Sequence, residues 1–200
     1  MAVKGDPDHT APRRTQADRR AATRAALLSS ARELFGAKGF AGAGREEIVE
    51  RAGVTRGAMY HHFASKEDLF RAVWEEVEGE VMAHVAEAAM VTTDPKEELR
   101  LGSRAWLEYA ADPAVARICL IDAPAVLDPV LRRQLSEQYG VGMVRAVLQA
   151  CIDAGQIAAQ PVDLLARIVL AALLEAATLV GEGADRDEVS TIVEAMLDAL

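Results

Sequence analysis

Apolar residues recur at helical spacing along most of the chain, whereas the strict alternation that marks a half-buried strand is scarce. A first apolar face predicts a helix from about Ala17 to Lys38-Gly39, where the glycine can end it in a left-handed conformation. A longer apolar stripe begins after Ser65 and continues well past residue 80. The pattern therefore predicts an all-α protein of about nine helices.

Two short helices are predicted between these longer ones. They cover 45–52 and 55–63, and the turn between them contains Gly53, which is the sequence form of a helix-turn-helix. Thr55 can cap the second of them, and Met59 can face its core. Proline and glycine breaks, one of them at Ala123-Pro124, predict five further helices near 96–110, 114–122, 130–154, 162–181 and 186–199.

The domain organisation follows from these elements. Residues 1–16 contain glycine and two prolines and lack apolar periodicity, so they are expected to form a disordered tail. Residues 17–64 are expected to form the helix-turn-helix head. Residues 65–200 are expected to form a larger helical body, joined to the head by a linking helix over 65–90.

The helix predicted over 162–181 is apolar almost all the way round. Arg167 and Glu175 lie inside it and would be costly at bilayer depth, which argues against a membrane span. A helix that is apolar on more than one side must be covered on more than one side. We therefore expect one face to pack within the subunit and another to pack on a second copy, as in a two-fold homodimer.

Charge is divided unevenly along the chain. The 200 residues carry a formal charge of −9, yet residues 1–66 hold 12 Lys and Arg against 7 Asp and Glu. A basic end on an acidic body is expected when one segment meets a polyanion and the rest has another role. The first twenty residues lack an apolar leader, and Cys119 and Cys151 form no C-x-x-C pair, so a cytoplasmic location is predicted.

The stretch VTRGAMYHHFASKEDLF, residues 54–70, combines basic, hydroxylic and aromatic side chains around a glycine. A helix that reads DNA places its N-terminal turn in the major groove and binds phosphates on either side. Arg56 is long enough to reach a guanine edge, and Gly57 lets the helix come close to the groove. The predicted phosphate contacts are Thr55, Tyr60, His61 and Lys66.

The longer stretch IVERAGVTRGAMYHHFASKEDLFRAV, residues 48–73, resembles the DNA-binding signature of the TetR family of bacterial transcriptional regulators. The resemblance covers about residues 18–73. It implies a three-helix head that binds a double-stranded DNA operator, and a body that dimerises and binds a small-molecule effector, which releases a repressor from its operator. The chain departs from the family pattern before the second helix, where Ala43 and Gly44 stand in place of a hydroxyl residue, and we expect Arg45 to supply the DNA contact there.

The candidate effector contacts are aromatic, flexible or charged residues of the body, namely Trp106, Tyr109, Asp122, Met143 and Glu175. An ordinary core role is the alternative for each, and Asp122 could instead cap the next helix. An apolar pocket is expected between the helices near 96–122 and 136–181. Glu175, predicted to lie buried, would need a partner: Arg167 or Arg145, a residue of the second copy, or the ligand. That carboxylate favours a hydrophobic cation as the effector.

Two other classes of protein remain as alternatives. An enzyme would need a nucleophile with a base, a metal cluster or a phosphate loop, and the sequence has no G-x-S-x-G, GKS/T or H-E-x-x-H motif. A helical dimeric adaptor without DNA binding is the second alternative, and the intact Thr55-Arg56-Gly57 run argues against it. His61 and His62 point apart on a helix and have no further ligand at metal spacing, so neither a metal nor a cofactor is predicted.

Overall fold

The computed structural model of the chain describes residues 15–200, apart from the side chains of Leu135, Ser136, Gln138 and Tyr139. Residues 1–14, which hold most of the predicted tail, lie outside this range. Within it the chain is helical and contains no strand. The helices are α1 (Gln16–Gly42), α2 (Arg45–Arg51), α3 (Arg56–His62), α4 (Lys66–Ala89), α5 (Pro95–Ala110), α6 (Pro113–Val115), α7 (Ala123–Val126), α8 (Pro129–Leu135), α9 (Gly142–Asp153), α10 (Val162–Gly181) and α11 (Arg186–Asp198), with π-helical segments π1 (Ala116–Asp122) and π2 (Ser136–Val141).

Two runs of these elements are continuous in the chain, α6–π1–α7 and α8–π2–α9. If each run counts as one helical rod, residues 15–200 form nine rods, which confirms the predicted all-α fold of about nine helices. The predicted break at Ala123-Pro124 is wrong, because the rod continues to Val126 and the backbone becomes extended only at Leu127. A π-helical turn shifts the backbone hydrogen-bond pattern just before Pro124, and this can accommodate a residue that lacks an N–H.

The first helix starts one residue earlier than predicted, because Thr15 and Asp18 form a reciprocal capping box. It also extends further than predicted. Gly39 has a φ of 73°, so the α-helical path is interrupted where the sequence indicates, but a helical turn resumes through Gly42. The kink turns Phe40 back onto the aromatic rings of Phe35 and Phe70, whose centroids lie 5.9 and 5.2 Å away.

The buried apolar residues form two clusters. The first joins α1, α2 and α3 to the apolar stripe of α4 and to π1, with Phe35, Ile48, Met59 and Phe70 fully buried. The second lies among α5, α9, α10 and α11. The first cluster therefore extends from the short helices of the head into the body. Helix α4 contributes to the packing of both the head and the body.

Helix α10 is apolar on both sides, as its sequence predicts. One side is buried in the second cluster through Leu165, Ala166 and Val169. The other side leaves large apolar side chains open, with Leu164 62% and Ile168 69% exposed. By length and composition alone α10 could also cross a membrane, a property that core helices of soluble proteins share.

Candidate nucleic-acid interface

The first turn of α3 is built by a local cap. The backbone N–H of Ala58 donates to Thr55 Oγ1 at 3.2 Å, as the sequence predicts. Met59 and Phe63 anchor the helix in the first apolar cluster, with 0% and 3% of their surfaces exposed. The opposite face is open to solvent and presents Thr55, Arg56, Gly57, Tyr60 and His61.

Four side chains from α2 and α3 meet on this open face, and we call them the Tyr60 cluster: Arg45, Glu46, Arg56 and Tyr60. Arg45 Nη1 donates to the Tyr60 hydroxyl at 3.0 Å, and the Arg56 guanidinium lies 5.9 Å from the centre of the Tyr60 ring. The Arg56 guanidinium beside the phenol, together with Arg45, holds the pKa of Tyr60 below its ordinary value. The cluster therefore presents two guanidinium groups and a phenol, all able to donate hydrogen bonds to an anion.

Glu46 adds an acid to this face. Its carboxylate lies 3.3 Å from Arg56 Nη1, and both side chains are largely exposed. An exposed pair of this kind contributes little to stability, so it can open at small cost when another acceptor approaches Arg56.

Lys66 is half-buried, and its ammonium already has a partner within the chain. Its ammonium donates to the backbone carbonyl of Phe40 at 2.5 Å and sits 4.3 Å from the centre of the Phe40 ring. Burial lowers the pKa of Lys66. The phosphate contact predicted for Lys66 stays a prediction, and it would use an N–H that the Phe40 carbonyl does not already hold.

A basic groove of about 420 Å³ runs between the start of α1 and the end of α3, lined by Gln16, Arg19, Arg20, Thr23, His61 and His62. His61 is exposed and His62 is half-buried. Burial, with the charges of Arg20 and Arg24, lowers the pKa of His62. Anionic ligands would therefore meet mainly the arginines and His61. Among residues 15–200, no three His, Cys, Asp or Glu side chains could together hold a metal ion.

Trp106 and Tyr109, two of the candidate effector residues, are partly buried beside the first apolar cluster. Trp106 is half-buried and its Nε1 donates to the Leu173 carbonyl at 3.1 Å. The half-buried ring of Tyr109 lies 5.1 Å from that of His84. Met143 packs against the first apolar cluster. A second concavity, between α5 and α11, is lined by none of these residues, and the apolar pocket stays a prediction.

Asp122 and Glu175 differ from expectation. Asp122 makes no side-chain cap to the following helix; its Oδ2 instead accepts the Phe40 backbone N–H at 2.6 Å. Glu175 is exposed in the single chain, so its own subunit does not bury it, and its burial by a second copy or a ligand stays a prediction. Two of the partners proposed for it are already paired, since Arg167 pairs with Glu137 and Arg145 pairs with Asp163. The sequence of an apolar helix does not by itself show which of its sides faces its own core.

The carboxyl group that does lie in apolar surroundings is Glu78 on α4, which the sequence analysis missed. It lies beside Trp74 and Cys119, and burial raises its pKa. Trp74 is 7% exposed, and its buried Nε1 lies beside the Glu78 carboxyl without a well-formed hydrogen bond to it. Burial also raises the pKa of the Cys119 thiol. The position of Glu78 one residue after Val77, inside the apolar stripe of α4, was the available signal.

Comparison with known families accounts for both parts of the chain. Residues 27–73 match the family described as bacterial regulatory proteins, tetR family. Residues 96–200 match the family described as tetracyclin repressor-like, C-terminal domain.

Individual relatives agree with these matches. The chain is 30% identical to the HTH-type transcriptional activator FasR of Mycolicibacterium smegmatis over 66% of this chain and 56% of that protein, so it spans little more than half of that relative. It is 32% identical to the HTH-type transcriptional repressor AcnR of Corynebacterium glutamicum, over 62% of this chain and 69% of that protein. The similarity thus includes both an activator and a repressor.

Solved structures share the fold. A TetR-family transcriptional regulator from Pectobacterium atrosepticum has a TM-score of 0.75 and 32% identity, with 93% of this chain and 95% of that chain covered. The transcriptional regulator FadR from Bacillus subtilis, in complex with stearoyl-CoA, has a TM-score of 0.74 at 21% identity, with 88% of this chain and 97% of that chain covered. At that lower identity the likeness concerns the fold alone.

Proposed function

This chain belongs to the TetR family of bacterial transcriptional regulators, and from that premise we propose that it acts in the cytoplasm as a homodimeric repressor. Its two heads bind a palindromic DNA operator, and a small molecule bound in the body releases them. The observation that carries this proposal is the Tyr60 cluster, which gathers two guanidinium groups and a phenol on the open face of α3.

The recognition step follows from the geometry of α3. A helix that enters the major groove uses its N-terminal residues on base edges, while the surrounding side chains and N–H groups bind phosphates. Arg56 lies in the first turn, and its contacts with Glu46 and the Tyr60 ring are exposed, so they can give way to a guanine edge. Thr55, Tyr60 and His61 flank it and bind the phosphate backbone. Arg45 adds a charge where Gly44 caps α2 without a side chain.

The homodimer is supported by the open side of α10. Leu164, Ile168 and Leu179 are exposed on it, and Ile192 is 69% exposed on the neighbouring α11. Large apolar side chains exposed on two helices that pack together are typical of an interaction surface. A two-fold interface there brings the same face of each copy together and pairs the two heads for two half-sites of a palindrome.

Selection of binding sites from random DNA duplexes tests the DNA-binding function directly. We expect an enriched palindromic motif, bound with an affinity that falls steeply as salt rises, because released counterions drive phosphate binding. The matched control is Arg56→Ala, which removes the base-reading side chain from an otherwise intact head. If the wild-type protein enriches no motif, the chain is a helical adaptor and not an operator-binding regulator.

The effector we propose is a lipophilic cation. Its charge would be balanced by Glu78, which lies in apolar surroundings and makes no ion pair with another described residue. In place of Glu175, Glu78 becomes the candidate anchor, with the Trp74 indole and the Cys119 thiol beside its carboxyl. A buried carboxylate without an opposite charge is costly, and a bound cation would supply that charge.

A thermal-shift screen of lipophilic amines, neutral lipids and fatty acids tests this class of ligand. We expect amines to stabilise the wild-type protein and to release operator DNA, since an inducer must bind the free form more tightly than the DNA-bound form. Glu78→Gln should abolish the shift, whereas Glu87→Gln, at an exposed site on the same helix, should keep it. Stabilisation by neutral or anionic compounds only would contradict the cationic class.

A further inference from the structure

The backbone of Phe40 is bound at both its N–H and its carbonyl by residues distant in the chain. Its N–H donates to Asp122 Oδ2 at 2.6 Å, across 82 residues, and its carbonyl accepts from Lys66 Nζ at 2.5 Å. The ring of Phe40 packs on Phe35 and Phe70 inside the first cluster. Phe40, near the end of α1, is therefore hydrogen-bonded both to α4, through Lys66, and to π1 of the body, through Asp122.

The backbone at Gly39 explains why the Phe40 N–H needs this partner. The positive φ of Gly39 interrupts the helix, so the next N–H does not follow the regular α-helical pattern. A side chain at Gly39 would be strained by that φ, and its Cβ would lie 3.3 Å from Asp122 Oδ2 and 3.4 Å from Arg117 Nη1. The absence of a side chain thus allows the carboxylate to come close to the backbone.

Asp122 is the last residue of π1, and π1 is placed between the two parts of the molecule. It packs on α1 and α4 on one side and on α10 on the other. Its contact with α10 is close, since a Cβ placed at Gly181 would lie 2.9 Å from the Cβ of Ala116. A shift of π1 in the body therefore moves the carboxylate that holds the end of α1. Single π-helical turns within α-helices are frequently found at functional positions.

We propose that Asp122 is a positioning residue for DNA binding. By accepting the Phe40 N–H it fixes the turn that leads through Gly44 into α2, and so sets the placement of the α2–α3 pair against the DNA. This inference rests on the proposed DNA-binding function, although the bond itself can be tested without DNA.

The test compares Asp122→Ala with Asp128→Ala in the full-length chain. Asp128 lies six residues further on and accepts the N–H groups of Val130 and Leu131 at 2.9 and 3.0 Å, so its loss removes a helix cap without touching the head. Both variants should unfold at a lower temperature than the wild-type protein. At a temperature where all are folded, Asp122→Ala should bind the selected operator about tenfold more weakly, and Asp128→Ala should bind it as the wild type does. Asp122→Asn keeps an acceptor oxygen and should recover most of the loss.

Hydrogen exchange measured by mass spectrometry supplies a second readout that does not depend on DNA. We expect faster exchange of the Phe40 amide and of α2 and α3 in Asp122→Ala, and unchanged exchange there in Asp128→Ala. Equal operator affinities for the two alanine variants, or unchanged exchange in α2 and α3, would overturn the positioning role. If no operator can be selected for the wild-type protein, the proposed function fails, and the exchange result alone decides whether Asp122 holds the head.

Discussion

Gly57 shows how a single residue can be explained by something outside the chain. It has an ordinary helical backbone, and an added Cβ would meet only Thr55 Oγ1, at 3.9 Å, within the protein. Glycine lowers helix stability by roughly 1 kcal/mol relative to alanine. Nothing inside the subunit thus requires glycine in the first turn of α3, which fits a surface that a partner approaches closely.

We expect Gly57→Ala to raise the free energy of unfolding by about 0.5–1 kcal/mol and to weaken operator binding, because the new methyl group lies on the face that meets DNA. The measurements are thermal unfolding and a DNA-binding titration on the same preparation. Gly79→Ala is the matched control, since Gly79 is exposed on α4 with no atom within 4 Å of an added Cβ. It should gain the same stability and bind DNA normally; an equal loss of binding in both variants would remove the assigned role of Gly57.

Glu78 leads to a prediction about pH. Burial raises its pKa above the ordinary value of 4.5, so the folded protein holds this proton to a higher pH than the unfolded chain does. The stability that protonated Glu78 confers is fully present below that ordinary value and is lost as pH rises through the folded value. Glu78→Gln cannot lose a proton, and its melting temperature should exceed that of the wild type by an amount that grows as pH rises.

Thermal unfolding of both proteins across this range, without added ligand, provides the measurement. Glu87→Gln, at an exposed position on the same helix, should follow the wild-type curve at every pH. A difference between Glu78→Gln and the wild type that stays constant with pH would show that the Glu78 carboxyl is not desolvated in the folded state.

At the scale of the element, α3 is expected to make two kinds of contact with DNA, one to base edges and one to phosphates. Base contacts specify a sequence, whereas phosphate contacts strengthen binding to every sequence. We therefore expect Arg56→Ala to reduce the preference for the operator over scrambled DNA. Tyr60→Phe removes the hydroxyl that Arg45 contacts and should weaken binding to both DNAs alike. Titrations with the two duplexes at one salt concentration distinguish these effects, and a uniform loss for Arg56→Ala would assign that side chain to the phosphates.

The position of α3 also depends on α1 and α4, which pack against it. Met59 and Phe63 bury α3 in a cluster that also contains Phe70 and Val73 of α4. Because packed interiors resist small displacements, the placement of α3 depends on α4 and on the turn at Phe40. The recognition helix is therefore positioned by residues that never reach the DNA.

At the scale of the whole molecule, the exposed side of α10 predicts how two copies assemble. Ile168→Glu should be harmless in a single chain, where the side chain is 69% exposed, and should disrupt a dimer, where it would bury an unpaired charge. Analytical ultracentrifugation should then show a monomer, and operator binding should fall with it. Val130→Glu, at a 64% exposed position on α8, is the control and should remain dimeric. A dimer that survives Ile168→Glu would place the interface elsewhere.

The sequence by itself determined what depends on neighbours three or four residues apart. Helix type, most helix ends, the Thr55 cap and the buried Met59 all follow from local spacing, whereas the DNA-binding motif was identified by its resemblance to the TetR signature. The prediction of a helix break near Pro124 was wrong because a π-helical turn precedes the proline and the helix continues beyond it. Rules based on local spacing do not predict such a turn.

Only the tertiary structure decided which faces meet and which distant groups bond. It exposed Glu175 and placed Glu78 in apolar surroundings, although both acids lie within apolar helical patterns. It also brought Asp122 to the backbone N–H of Phe40 and Lys66 to its carbonyl. The physical reason is that periodicity defines the faces of a helix, whereas the partner of each face depends on how separate helices pack together, and that packing is settled by contacts across the whole chain.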